Sequence, residues 1–415
     1  MTASAPPRAK QLLEDMFLSG LAAVHGARVV RQALAARPVA GPVSVVAIGK
    51  AADAMLAGAV ESLGAQLVQA LLISKPGFIS QATCADARVT CLHGGHPLPD
   101  ECSLAAGEQL LAFIDATSSE HHLLFLFSGG CSSLVEVLRA DIDLTALQRV
   151  NRWLLGSGLD IIAMNQVRRA LSTIKGGRLA KRLVNRDATA LLISDVPNDA
   201  PDVIGSGLLC PPRTATSAMP ALPDWLRDLV NGELPIAQDR DPVEHHVIAT
   251  LDMALAAAAE CGRAQGHPVQ VMEKGLSGSA QSAAADIAGY LSEAQPGIYL
   301  WGGETSVLLP ERSGRGGRNQ HLALNAALAL ADYPVSVLVA GTDGNDGSTD
   351  VAGAIIDGGT AQRIAAHGLD ARAHLHAADA GSCLAASGDL LKTGPTGTNV
   401  MDMVIGLKLP DADTL

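Results

Sequence analysis

Residues 43–50 read Val-Ser-Val-Val-Ala-Ile-Gly-Lys, a continuous apolar run that ends in a glycine and a lysine. A run of this kind is typical of a strand that is buried on both faces of a parallel sheet. Similar runs at 67–73, 122–127 and 189–193 also end in a glycine or a polar turn. Because helical segments alternate with these runs, the sequence predicts an α/β fold whose parallel sheet is covered on both faces.

The length of 415 residues is enough for about two or three domains. Six prolines interrupt the strand and helix pattern between residues 210 and 242. We therefore predict an N-terminal domain over residues 1–235 and a C-terminal domain over residues 236–415. In the second half, apolar runs predict strands at 246–250, 269–272, 298–301, 307–309, 335–340 and 400–407.

Composition and charge exclude several classes of protein. The chain is 48% hydrophobic and 17% charged, which is too apolar for a disordered protein. Its formal net charge is −12 and Lys and Arg are not clustered, so we expect no nucleic-acid partner. No run of about 18 apolar residues lacks a charge, so we expect no membrane span. The seven cysteines lack C-x-x-C spacing, which disfavours a zinc site or a disulfide framework and favours a reducing, cytoplasmic setting.

Candidate functional residues lie directly after the apolar runs, where open α/β sheets bind their ligands. Ser128-Gly-Gly-Cys-Ser-Ser133 offers N–H groups and hydroxyls to an anion, although taken alone it is equally well explained as a serine-capped turn. Lys50 follows a buried strand, where an ammonium is costly unless it meets an anion. Asp195 follows another strand and suits a general base or a Mg²⁺ ligand.

Four loops of the second half are also candidate ligand-binding loops. The segment 301–305, Trp-Gly-Gly-Glu-Thr, ends a strand, and the segment 314–320 places Arg318 near the start of a helix. Arginine, glycine and a helix N-terminus together favour phosphate binding. The segment 341–350 holds three aspartates without the calcium-binding EF-hand pattern, and the segment 392–399 is rich in glycine and hydroxyls.

Several common enzyme motifs are missing from the sequence. There is no G-x-x-x-x-G-K-[ST] motif, no G-x-S-x-G and no H-E-x-x-H. No strand leads into G-x-G-x-x-G with an acidic residue about 20 positions further on, so nicotinamide binding has no support. The candidate residues therefore indicate chemistry on an anionic ligand, whose charge lysine and arginine would stabilise. Phosphoryl transfer fits best, because it depends on positioning and electrostatics more than on a protein nucleophile.

Ten motifs, in order along nearly the whole chain, resemble those of the class II glycerate 2-kinase family. They are 47–52, 94–100, 127–134, 165–168, 174–179, 193–197, 302–305, 316–320, 341–344 and 393–399. The resemblance implies an N-terminal Rossmann-like α/β/α sandwich, a C-terminal MOFRL-type α/β domain and an active site in the interdomain cleft. It also implies ATP-dependent phosphorylation of glycerate at its 2-hydroxyl, which gives 2-phosphoglycerate, with Mg²⁺ or a similar divalent cation.

The resemblance points to Lys50 and Arg318 as the essential pair, and Asp195 is the third catalytic candidate. Asp195 and Asp343 are the candidate metal ligands. The other residues that we predict to contact substrate or nucleotide are Ser128, Gly129, Gly130, Ser132, Asn165, Lys175, Glu304, Thr305, Asn319, Thr342, Asp343, Thr396 and Asn399.

Two alternatives stay open at this point. Members of the family are often labelled hydroxypyruvate reductase, but the missing dinucleotide fingerprint argues against an NAD(P)H-dependent reaction. The other alternative is a non-catalytic protein that binds glycerate or nucleotide as a sensor. The sequence does not determine whether the protein is a monomer or a homo-oligomer.

Overall fold

The computed structural model describes residues 7–212, 219–231 and 243–410. These residues form two compact units. The first unit comprises residues 25–250 and 397–399, and the second comprises residues 1–24, 251–396 and 400–415, each taken over its described residues.

The first unit is built on a six-stranded sheet. Its strands are β1 (Val43–Ile48), β2 (Leu67–Ser74), β3 (Val89–His93), β4 (His122–Phe127), β5 (Ala188–Ile193) and β6 (Glu244–Ala249). They lie in the order β3-β2-β1-β4-β5-β6, and all neighbours are parallel. This is the strand order of a doubly wound Rossmann sheet, in which the order reverses between β1 and β4. The carboxyl ends of these two strands are therefore the expected place for a ligand.

The second unit has a mixed six-stranded sheet. Its strands are β7 (Val269–Val271), β8 (Gly297–Gly303), β9 (Val335–Gly341), β10 (Gly353–Asp357), β11 (Leu390–Leu391) and β12 (Asp402–Lys408). They lie in the order β11-β10-β9-β12-β8-β7, and β7 and β8 are the parallel pair. The other neighbours are antiparallel. Every residue of β8, β9 and β12 is buried, which explains their continuous apolar runs.

Helices cover these sheets. In chain order they are α1 (Pro7–Ala23), α2 (Gly26–Ala36), α3 (Ala52–Leu63), α4 (Gln81–Ala85), α5 (Glu101–Ala116), α6 (Cys131–Leu134), α7 (Leu144–Gly156), α8 (Ile161–Leu171), α9 (Asp224–Val230), α10 (Leu251–Ala264), α11 (Ala280–Glu293), α12 (Arg318–Ala329), α13 (Thr360–Ala366), α14 (Ala371–His376) and α15 (Ala380–Ser387). Aspartate side chains at positions 100, 143 and 160 accept N–H groups at the starts of α5, α7 and α8. Such caps satisfy donors that a helix leaves unpaired, so the local sequence determines where these helices begin.

The structure corrects two predicted strands. The strand expected at 246–250 as the first of the C-terminal domain is β6, which pairs with β5 and belongs to the first sheet. The strand expected at 307–309 does not form, and Leu308 and Leu309 are 92% and 70% exposed. The predicted boundary near residue 235 lies within 232–242, outside the described residues.

Two further findings concern membrane-spanning helices and disulfide bonds. Over its described residues, the structure contains no helix that combines the length and the apolar character needed to cross a bilayer. All seven cysteines have free thiols.

Candidate active site

The turns that follow β1 and β4 are bonded to each other at the carboxyl edge of the first sheet. The backbone N–H of Lys50 donates to the carbonyl of Gly129 over 2.9 Å. The next N–H, that of Ala51, donates to Oγ of Ser128 over 3.0 Å. Because Ser128 is fully buried, its hydroxyl holds the lysine turn in place, which is a different task from the ligand contact that the sequence predicts.

Gly129 packs directly against two polar side chains from distant parts of the chain. A Cβ atom at this position would lie 1.8 Å from Nδ2 of Asn399 and 2.0 Å from Oδ2 of Asp195, so only glycine fits here. Nδ2 of Asn399 donates to Oδ2 of Asp195 over 3.2 Å. The structure thus brings together the predicted lysine turn, glycine loop, aspartate and asparagine.

His96 lies beside the same loop, although it is not among the predicted site residues. Gly130 has a φ of +94°, in the left-handed region that favours glycine. A Cβ atom on Gly130 would lie 3.2 Å from Cδ2 of His96 and 3.5 Å from Cγ of Lys50. The sequence signal that could have identified this histidine is its place in the Gly-Gly-His-Pro segment directly after β3.

A chain of buried and partly buried hydrogen bonds continues from the glycine loop. The hydroxyls of Ser132 and Ser206 are 2.8 Å apart, and Ser206 donates to Oδ1 of Asn165 over 2.8 Å. Nδ2 of Asn165 donates to the carbonyl of Val203 over 3.2 Å. The predicted residues Ser132 and Asn165 are therefore linked through Ser206, which no sequence motif indicates.

Lys175 has a structural role in place of the predicted ligand contact. Its ammonium forms an ion pair with Glu136, and the two side chains are 2% and 1% exposed. The other carboxylate oxygen of Glu136 accepts the hydroxyl of Ser172 over 2.5 Å. Burial lowers the pKa of Lys175, and the charge of Glu136 opposes this effect. The ammonium is thus enclosed and already paired with a carboxylate, which favours a structural role.

In the second unit, Arg318 begins α12 and is held by two carboxylates. Nε and Nη2 donate to the two oxygens of Asp402 over 2.7 and 3.1 Å, which is a bidentate pair. Nη1 lies 2.5 Å from Oε1 of Glu304. Burial lowers the pKa of Arg318, but the charges of Asp402 and Glu304 outweigh it and raise the pKa overall. Asp402 is 3% exposed and Glu304 is 46% exposed, so Glu304 is the partner that a ligand could displace.

Asp346 occupies the N-terminus of α12. The N–H groups of Asn319 and Gln320 donate to its two carboxylate oxygens over 3.0 and 2.8 Å, and Nε2 of Gln320 donates over 3.0 Å. A carboxylate at a helix N-terminus satisfies the donors that could otherwise bind phosphate. Asp346 thus occupies two of the N–H donors at this helix end, and the guanidinium of Arg318 is the stronger candidate for a phosphate contact.

The same cap predicts a dependence of stability on pH. Burial raises the pKa of Asp346 to about 6, although the N–H groups of Gln320 and Asn319 act in the opposite direction. Since the folded protein holds this proton more tightly than the unfolded chain does, the contribution of Asp346 to the free energy of unfolding falls as the pH rises from about 4 to about 6. The expected loss is roughly 3 kcal/mol.

Urea denaturation of the wild type and the Asp346→Asn variant at several pH values measures this effect. The stability advantage of the wild type should shrink between about pH 4 and pH 6, and titrations elsewhere in the protein cancel in the difference. A difference that stays constant across this range would show that Asp346 has an ordinary pKa.

Two predicted residues beside the Arg318–Glu304 pair carry unsatisfied polar atoms. Oγ1 of Thr305 and Nδ2 of Asn319 are buried and have no hydrogen-bond partner. Each follows a member of the ion pair directly in the chain. Because unpaired buried polar groups are rare in native proteins, these two atoms support a ligand site next to Arg318.

The remaining predicted residues of the second unit connect its loops. The hydroxyl of Thr342 donates to the carbonyl of Met401 over 2.6 Å and accepts the N–H of Val400 over 2.8 Å. Thr396 donates its hydroxyl to the carbonyl of Thr342. These two threonine hydroxyls thus bond within the protein, and Asp343 lies buried in the same turn.

The candidate metal ligands do not form a dedicated metal centre. The described residues contain no group of three or more His, Cys, Asp and Glu side chains that could hold a metal ion. Mg²⁺, however, needs only one or two protein carboxylates when phosphates and water supply the other oxygens. The carboxylate of Asp195, with the carboxamide of Asn399 beside it, offers hard oxygen donors of the kind that this ion prefers.

Comparisons with known proteins define the class to which the fold and site belong. Residues 12–226 match the model of a domain of unknown function (DUF4147), and residues 297–402 match that of the MOFRL family. The second match runs from the first residue of β8 to the first residue of β12. The chain is therefore an α/β protein of the MOFRL type.

Full-length relatives identify the family. The D-glycerate 2-kinase of Thermotoga maritima is 35% identical over 97% of this chain and 99% of its own length. The crystal structure of glycerate kinase from the same organism superposes with a TM-score of 0.81 at 34% identity, covering 97% of this chain and all of that one. A protein of Agrobacterium vitis, 35% identical over 95% of this chain and 93% of its own length, has a name that points to hydroxypyruvate reduction. This chain belongs to the class II glycerate 2-kinase family.

Proposed function

We propose that this chain is a glycerate 2-kinase, which transfers the γ-phosphoryl group of ATP to the 2-hydroxyl of glycerate and releases 2-phosphoglycerate and ADP. The observation that carries the proposal is the arrangement around Gly129, where the lysine turn, the glycine loop and the Asp195–Asn399 pair meet at the switch point of the sheet. The names of the relatives from Thermotoga maritima support the same activity.

Asp195 is the base in this proposal. Its carboxylate accepts the proton of the 2-hydroxyl as that oxygen attacks the γ-phosphorus, and the bond from phosphorus to the leaving ADP oxygen breaks. The hydrogen bond from Asn399 fixes the orientation of the carboxylate. A base that is already positioned lowers the barrier without any covalent intermediate on the protein.

Lys50 and Arg318 stabilise the charge on the phosphoryl oxygens. Phosphoryl transfer spreads negative charge over these oxygens, and cations that are already oriented stabilise it most effectively. Lys50 belongs to the first unit and Arg318 to the second. Thr305 and Asn319 supply further hydrogen bonds to the ligand beside Arg318.

A divalent cation completes the proposed site. With Asp195 acting as the base, Asp343 is the candidate that would hold Mg²⁺, and the ion would neutralise phosphate charge. Asp195 is the alternative ligand, and in that role its carboxylate would not serve as the base. We also propose a cytoplasmic location, which the seven free thiols and the use of ATP favour.

Two assays on the purified protein distinguish the kinase from the reductase. We expect ADP release that depends on glycerate and MgATP, and no oxidation of NADH with hydroxypyruvate. The turn after β1 reads Gly-Lys-Ala-Ala and lacks the glycine pattern that binds a dinucleotide pyrophosphate, which is the physical reason. NADH oxidation without glycerate-dependent ADP release would refute the kinase. Binding of glycerate or ATP without turnover would indicate a sensor.

A further inference from the structure

Arg168, near the end of α8, has a guanidinium whose hydrogen-bonding capacity is largely unused. Among the described residues, its hydrogen-bond acceptor is Oδ1 of Asn165, at 3.4 Å from Nη1, although a guanidinium has five N–H donors. The side chain is partly buried, so water satisfies these donors incompletely while a small ligand can still reach them. Burial lowers the pKa of Arg168, and the charge of Glu136 opposes this effect.

The neighbouring arginine shows what a purely structural guanidinium looks like in the same helix. Arg169 donates from Nε to the carbonyl of Ser206 over 3.3 Å and from Nη2 to the carbonyl of Asp202 over 2.5 Å. It thereby holds the segment that presents Ser206 to Asn165. Arg168 makes no comparable contact with backbone carbonyls among the described residues.

The charges around Arg168 do not balance. The carboxylate of Glu136 is already paired with Lys175, whose pKa the charge of Arg168 lowers further. These three side chains hold two positive charges and one negative charge. A poorly solvated cation is costly unless an anion compensates it, and among these three side chains one positive charge lacks a carboxylate.

Hydrogen bonds connect this cation to the glycine loop. Asn165, which accepts from Arg168, also accepts from Ser206, and the hydroxyl of Ser206 meets that of Ser132. Ser132 lies two residues after Gly130, beside the loop on which Asp195 and Asn399 pack. The missing anion therefore belongs on the same face of the first unit as the proposed base.

We propose that Arg168 binds the carboxylate of the acceptor substrate through a bidentate pair, with Asn165 fixing the plane of the guanidinium. This inference rests on the proposed function. A carboxylate carries the single negative charge that the cluster lacks, and its two oxygens match the guanidinium fork. In glycerate the carboxylate is bonded to the carbon that bears the 2-hydroxyl, so holding it there also positions the reacting oxygen.

Steady-state kinetics of the Arg168→Gln variant test the proposal. We expect KM for glycerate to rise about 100-fold, because a charge-assisted bidentate contact is lost, while KM for ATP changes less than about threefold. Arg168→Lys keeps the charge but not the fork, and it should raise KM for glycerate about tenfold. The control is Arg152→Gln, which removes an exposed arginine on α7 and should leave both constants unchanged.

Three outcomes would overturn the proposal. If KM for ATP rises and KM for glycerate does not, Arg168 faces the nucleotide. If both constants stay at wild-type values in the folded variant, Arg168 binds no substrate. If the glutamine variant does not fold and the lysine variant has the wild-type KM for glycerate, the role is structural.

Calorimetry separates this proposal from the proposed function. Glycerate titrated into the wild type without ATP should bind, and it should bind about 100-fold more weakly to Arg168→Gln. A wild type that binds glycerate through Arg168 but does not phosphorylate it would refute the kinase and support the carboxylate site. Equal binding to both proteins, or no binding to the wild type, would refute the carboxylate site.

Discussion

Replacement of Lys50 by alanine should lower kcat by roughly 10³-fold, the scale seen when a transition-state cation is removed from a phosphoryl-transfer site. The loss should fall on kcat because the ammonium acts mainly on charge that develops during transfer. Folding should be spared, since the turn is held by backbone bonds from Lys50 and Ala51 to the glycine loop, which the substitution leaves in place. Turnover at saturating glycerate and MgATP measures the effect.

Lys181→Ala is the matched control for this variant. Lys181 is an exposed lysine of the same unit, and its removal should change neither kcat nor the urea midpoint. If folded Lys50→Ala keeps near wild-type turnover while both substrates are saturating, the proposed role of Lys50 is wrong.

Arg318→Lys should lower kcat by roughly 10²- to 10³-fold, although the positive charge is kept. An ammonium cannot form the bidentate pair with Asp402 and also present a second edge of planar N–H donors to a phosphate. The defect should persist at saturating substrates, because the lost contact acts on the transferring group. Turnover and substrate KM values, measured beside the wild type, check this result.

Arg318→Ala would be a less clear test than the sequence indicates. Removing the guanidinium leaves the carboxylate of Asp402, which is 3% exposed, without its partner, and a stranded buried charge costs about 3–5 kcal/mol of stability. The double variant Arg318→Ala/Asp402→Asn removes that charge, so it should recover stability without recovering turnover. Near wild-type turnover in a folded variant that lacks the arginine would contradict the proposed charge stabilisation.

The first sheet is readily predicted because its central strands are continuous apolar runs that end in glycine or polar turns. The mixed sheet of the second unit is not, because an apolar run such as β12 does not indicate the direction of the neighbouring strand. The prolines between 210 and 242 suggested a boundary that placed β6 in the wrong sheet. Proline interrupts local structure, but it does not determine which strands pair along an edge.

The residues at strand ends are the part of the candidate site that sequence identifies best. Lys50, Gly129 and Asp195 follow neighbouring parallel strands, so the topology brings them to one edge. Asp402 and Asp346 were missed because their contacts to the start of α12 span 84 and 27 residues of chain. Lys175, in contrast, was predicted as a ligand contact. The motif indicates that a lysine is present, but it does not indicate that the ammonium is buried and paired with Glu136.

The central claim is that the 2-hydroxyl of glycerate receives the phosphoryl group of ATP. Phosphorus NMR of a reaction of the purified protein with glycerate and MgATP tests it most directly, with authentic 2- and 3-phosphoglycerate added as internal references. The proposed mechanism predicts a single new phosphomonoester signal that coincides with 2-phosphoglycerate and grows in step with ADP. A product that coincides with 3-phosphoglycerate, or ATP that remains intact while glycerate is present, would contradict it.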